Sequence, residues 1–149
     1  MKVIWAVLCE RSVIDLETNQ VSLFNIVEQV MVPAESPEVA SGGTVEGRMG
    51  LASFELVTLW TRSDPDMPER GRGRLSLILP EDSPRLSPIP YEVDLTRHIR
   101  LRHRTRMPGL PVGGEGIFRF VIEGKSDSDD WAMMFELPLE VRVQTQGDV

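Results

Sequence analysis

Arg97, His98, Ile99, Arg100, Leu101, Arg102, His103, Arg104, Thr105, Arg106 and Met107 run into the turn residues Pro108, Gly109, Leu110 and Pro111, after which Gly116, Ile117, Phe118, Arg119, Phe120, Val121, Ile122 and Glu123 follow. Successive side chains of a strand point to opposite faces. Arg100, Arg102, Arg104 and Arg106 therefore stand in single file on one face, with Leu101 and Met107 on the other beside Ile99. Phe118, Phe120 and Ile122 repeat the alternation beyond the turn. The stretch predicts a hairpin in which one strand carries a guanidinium row and the next a core face.

Working outward, the rest of the chain has the same grain. Val3 to Cys9 is apolar on both faces and rich in β-branched and aromatic residues, which suits a central strand covered on both sides. Asp15, Thr18 and Asn19 supply turn chemistry before Val21 to Val32 resumes. There Asn25, Glu28 and Gln29 interrupt both faces, predicting a bulge. A helix over Leu23 to Val30 competes, but the β-branched residues and Pro33 disfavour it. Further strands are expected at Leu51 to Thr61, Leu75 to Leu79, Ile89 to Leu95 and Met133 to Val143. Pro138 removes a ladder donor from the last of these and predicts an edge or a bulge there. Residues 33–50 contain too many Pro and Gly for a regular element and are read as a long loop; residues 144–149 are read as a polar tail. Eight short strands with turn signals between them predict an all-β fold in a single domain over residues 1–149. The expected architecture is one antiparallel β-sandwich with an immunoglobulin-like or C2-like Greek key, and a closed barrel is the alternative.

A chain of 149 residues can bury a core without staples, and its 41% hydrophobic and 26% charged residues are ordinary for a soluble globular protein. Cys9 is the only cysteine, which excludes an internal disulfide and points to a reducing, cytoplasmic setting. No segment approaches the length of a membrane-spanning helix. Residues 97–106 hold five Arg and no acid, so with a net charge of −7 the remainder carries −12. That balance disfavours a general nucleic-acid binder.

Trp5, Asp15, Thr18, Asn19, Val21, Ser22, Leu23, Asn25 and Ile26, together with Pro108, Gly109, Leu110 and Pro111 ahead of Gly116 and Phe118, carry a resemblance. The chain resembles a family of small bacterial proteins classed as a domain of unknown function. The resemblance implies a compact β-sandwich and a cytosolic location, and it brings no catalytic residues or cofactor.

Two constellations could carry chemistry. Arg100, Arg102, Arg104 and Arg106 lie about 6.5 to 7 Å apart along one strand face and could grip phosphates or an acidic protein. Against this stands cross-strand pairing with the chain's own acids, expected at Glu92, Asp94, Glu115 and Glu123. The second constellation is a pair of acidic turns. If consecutive strands are antiparallel, Asp64 and Asp66 emerge at the same end as Asp127, Asp129 and Asp130, and the five could hold calcium. Catalysis has little support, because His98 and His103 face opposite sides of a strand and Cys9 sits in an apolar run. The functional expectation is a non-enzymatic module that binds another protein or itself, without a cofactor. A C2-like calcium-dependent adaptor at an anionic surface ranks second and an unrecognised enzyme third.

Overall fold

A computed structural model describes residues 1–33, 53–80, 88–110, 115–126 and 130–144. Nine strands occur among them, with no helix long and apolar enough to cross a membrane. They are β1 (Lys2–Ile14), β2 (Val21–Ile26), β3 (Gln29–Pro33), β4 (Phe54–Thr61), β5 (Glu69–Ile78), β6 (Ile89–Leu95), β7 (Arg100–Met107), β8 (Gly116–Ser126) and β9 (Ala132–Gln144). One sheet has the order β2-β1-β4-β7 and the other β3-β9-β8-β5-β6. The expected loop over residues 33–50 lies outside the described residues except for Pro33, which ends β3. Gln144 ends β9, and the rest of the expected tail also lies outside them.

The core draws on both sheets. Ala6, Leu8, Leu56 and Trp60 of the first meet Leu75, Val93, Leu95, Phe118, Phe120, Ile122 and Leu139 of the second. Phe54 sets its ring edge-on to Phe120 at 6.0 Å, bridging β4 and β8. Two glycines of the second sheet make room for aromatic rings, Gly124 on β8 for Trp60 and Gly73 on β5 for Tyr91. A Cβ at Gly73 would stand 2.4 Å from the Tyr91 ring, so glycine there is the space the tyrosine occupies.

Three expectations change. The interrupted segment Val21 to Val32 forms two strands rather than one bulged strand, and they join different sheets. Asn25 takes a positive φ of 53° at the break. The Val27 amide donates to the Leu8 carbonyl at 2.9 Å beyond it. The β3–β9 pair is parallel, so the strands are not all antiparallel. Finally, β7 and β8 do not form a hairpin. Met107 to Leu110 leads from one sheet toward the other, and the fully buried Leu110 joins the core, anchoring the crossing by apolar burial.

One finer expectation changes and another holds. β1 as a whole lies between β2 and β4, but among the described residues Val3 to Leu8 pairs with β4 alone and Ile4 is 43% exposed, because β2 joins β1 only from Cys9 onward. The β3 ladder engages β9 only from Glu140 onward, so Pro138 sits where β9 is paired with β8 alone, and its missing N–H costs no ladder bond on the other side.

Candidate functional site

The arginine row forms as the alternation predicts. Arg100, Arg102, Arg104 and Arg106 stand opposite Thr61, Leu59, Val57 and Glu55 of β4, on the face turned away from the core. β7 is the last strand of its sheet. The compensating acid is not among the four expected. Glu123 pairs with Arg74 at 2.7 Å and Glu92 with Arg70 at 3.4 Å, both in the other sheet. Asp94 turns to the amide and hydroxyl of Thr96, at 2.9 and 2.6 Å. Glu115 is exposed. The expected pairing assumed β7 lay beside β6 and β8, whereas its hydrogen-bonded neighbour is β4.

Glu55 takes that role. Its side chain is 3% exposed and its two oxygens divide the work. Oε2 accepts from the Ser12 amide at 2.9 Å and the Ser12 hydroxyl at 2.6 Å. Oε1 accepts from Arg106 Nη2 at 3.1 Å, and Arg104 Nη1 lies 4.0 Å from Oε2. Burial alone would raise the pKa of this carboxyl. The hydrogen bonds from Ser12 and Arg106 and the charge of Arg104 outweigh it and leave the group below the ordinary carboxylate value.

These contacts also place the β1–β2 hairpin. Beyond Cys9, β1 leaves β4 and pairs with β2 instead. Arg104 donates to the Ser12 carbonyl at 3.4 Å, and Arg102 donates to the side-chain and backbone oxygens of Asn19, both at 3.3 Å. β1 is separated from β7 by β4, so these reaches require the hairpin to bend across the outer face of β4. Val57, on that face, is accordingly 1% exposed. The turn at its tip is built by Asp15, whose carboxylate accepts from the amides of Glu17 and Thr18, and by Asn19 at φ 54°. Three arginines of the row thus hold the arm, with Arg102 Nε buried and unpartnered. Arg100 has no partner among the described residues.

The arm presents apolar side chains to solvent. Leu16 is 95% exposed at the tip, Ile26 58% and, on β3, Met31 50%. Arg11 lies over the Phe24 ring at 4.9 Å. Beside Ile26 and Met31 opens a cleft of about 320 Å³, lined by Val27, Val30, Phe54, Leu110 and Leu139 with Glu10 and Asn25 at its polar side. Asn25 Nδ2 donates to Glu10 Oε2 at 2.6 Å.

Sequence reasoning passed over a second arginine row. Arg70, Arg72 and Arg74 alternate with Gly71 and Gly73 on β5, the same signal as on β7, but the strand is expected only from Leu75 onward. Arg74 pairs with Glu123 through two bonds and stacks on Trp131 at 4.3 Å, with Lys125 5.4 Å from the same ring. Also passed over was Tyr91, whose ring stacks on His103 at 3.7 Å and 7° and meets Trp60 edge-on. Burial pushes the Tyr91 phenol up to about 12, and burial lowers the pKa of His103.

The start of β5 and the end of β8 lie at one end, where Gly71 pairs with Ser126. Ser63, Ser126 and the Met1 amine converge there on Glu69. Asp64 is exposed and its carboxylate accepts from the Asp66 amide at 3.0 Å. Asp66 and Asp130 are exposed, while Asp127 and Asp129 lie outside the described residues. Among the described residues no three His, Cys, Asp or Glu side chains are grouped to hold a metal. His98 is exposed and apart from His103. Cys9 is fully buried opposite Glu55; burial and that carboxylate raise its thiol pKa against a smaller opposing effect of the Arg11 amide. No protein-family model matches the chain, and no curated protein matches it.

Proposed function

We propose that this chain is a non-enzymatic interaction or accessory module that engages another protein, or a second copy of itself, through the β1–β2 arm. The observation that carries the reading is the run of exposed Leu16, Phe24, Ile26 and Met31 leading to an apolar cleft, beside the outer edge of β2. Apolar surface gathered next to an edge strand supports a docking role more than scattered single residues would. The reading extends to an immunoglobulin-like sandwich. The orders β1-β4-β7 and β3-β9-β8-β5-β6 correspond to strands A-B-E and A′-G-F-C-C′ of that Greek key, with β2 as an addition. Membership of the bacterial family and a cytoplasmic location belong to the same proposal.

A photo-crosslinking residue at Leu16 in the full chain, combined with sedimentation of the purified protein, tests it. The expected result is a discrete adduct or dimer that Ile26→Glu abolishes without unfolding the chain. A wild-type chain that stays monomeric and yields no adduct dependent on Ile26 overturns the reading. The calcium-dependent alternative draws on the pairing of Gly71 with Ser126, which brings the start of β5 beside the end of β8. Calorimetric titration without heat, and melting unchanged by calcium, removes it.

A further inference from the structure

Extending the interaction-module reading to a second surface, we infer that the outer edge of β7 takes an extended acidic peptide segment of a partner protein, added as a fifth strand to the first sheet. The arginine row is undercompensated where it stands. Among the described residues, four guanidinium groups share one face with a single carboxylate in ion-pair reach, Glu55. Arg102 spends its contacts on neutral Asn19 oxygens at 3.3 Å, and Arg100 has no partner among the described residues. That leaves three positive charges in excess on a chain whose net charge is −7. The excess is also periodic. Its spacing of about 6.5 to 7 Å is that of alternate residues in any strand, so an added strand with carboxylates at every second position meets the row in register. β7 ends the sheet order β2-β1-β4-β7, and among the described residues no strand pairs with its outer backbone groups, which can accept such a strand. The acidic remainder of the chain repels long polyanions, so a short segment with alternating acids fits the strip better than nucleic acid.

The test uses the full chain and a fluorescent peptide alternating Glu with Thr. Its controls are a peptide of the same composition with the Glu residues contiguous, and single-stranded DNA. Anisotropy reports binding, and hydrogen exchange reports protection at residues 100–107. The expected result is binding of the alternating peptide with slowed exchange on β7. Arg100→Glu weakens binding about tenfold with melting unchanged, and Arg100→Lys restores most of it. Equal or tighter binding of the contiguous peptide or of DNA, or binding without protection on β7, overturns the inference and leaves only general attraction between opposite charges. No binding of any probe also overturns it, while the arm reading stands or falls separately on Leu16 and Ile26.

Discussion

Glu55→Gln should destabilise the fold far more than a surface carboxylate would, because no orientation of the amide serves both sides of the site. Oε2 receives two donors from Ser12 and Oε1 receives Arg106. With the amide NH2 toward Ser12, the buried Ser12 N–H loses its acceptor, at about 1 to 3 kcal/mol. Turned the other way, the NH2 confronts the Arg106 guanidinium. Arg106 is 72% exposed and can swing into water, so that orientation costs less. It still forfeits the ion pair and turns charge-assisted bonds to Ser12 into neutral ones. The sum is about 2 kcal/mol, or roughly 4 to 8 °C in melting temperature for a domain of this size. Glu55→Ala leaves both Ser12 donors bare and should cost about 3 to 5 kcal/mol. The pH dependence gives a second reading. The Glu55 pKa is depressed on folding, so its contribution is complete above the ordinary carboxyl value of 4.5 and is lost as pH falls through the lower folded value. Urea unfolding of wild type and Glu55→Gln at several pH values should therefore show a gap near neutrality that narrows in acid. A gap below about 0.5 kcal/mol at pH 7, or one that does not change with pH, would refute the role assigned to this carboxylate.

Tyr91 titrates in the opposite sense. Its phenol is raised from 10.0 to about 12, so the neutral form is favoured by the fold, and its contribution is complete below pH 10 and lost as pH rises toward 12. That is roughly 2 to 3 kcal/mol, and Tyr91→Phe should move alkaline unfolding to higher pH. Burial lowers the pKa of His103, so stability should fall as pH drops below 6.5, and His103→Phe should flatten that part of the profile in urea titrations. Gly73→Ala should cost about 1 to 3 kcal/mol by driving a methyl group into the Tyr91 ring, with a change in the near-ultraviolet circular dichroism of Trp60 and Tyr91. Cys9 should resist thiol reagents in the native protein and react at the rate of unfolding.

The β5 stretch shows how a true local signal can be misread. Arg70, Arg72 and Arg74 alternate as cleanly as the β7 row, yet the strand is expected only from Leu75, where the alternating apolar side chains begin; ahead of them the space above Gly73 is filled by Tyr91 from the neighbouring strand. Asn25 is the reverse case. Its polarity marked a disturbance in an apolar run, but a bulge and a change of sheet place the same residue types at the break, and the difference lies in where Val27 and Val30 find their partners.

Alternation is a property of the backbone, so the chain by itself determined that Arg100, Arg102, Arg104 and Arg106 share a face, that Val3 to Cys9 is a strand, and that the fold is all-β. What those arginines meet was a tertiary matter. Pairing is non-local: Glu55 lies 51 residues from Arg106 and Asn19 lies 83 from Arg102, and nothing in the spacing of either side announces the other. Only the course of the chain, which carries β7 onto β4 and bends the β1–β2 arm over both, turned a stretch that reads as a hairpin into a clamp with one side still open.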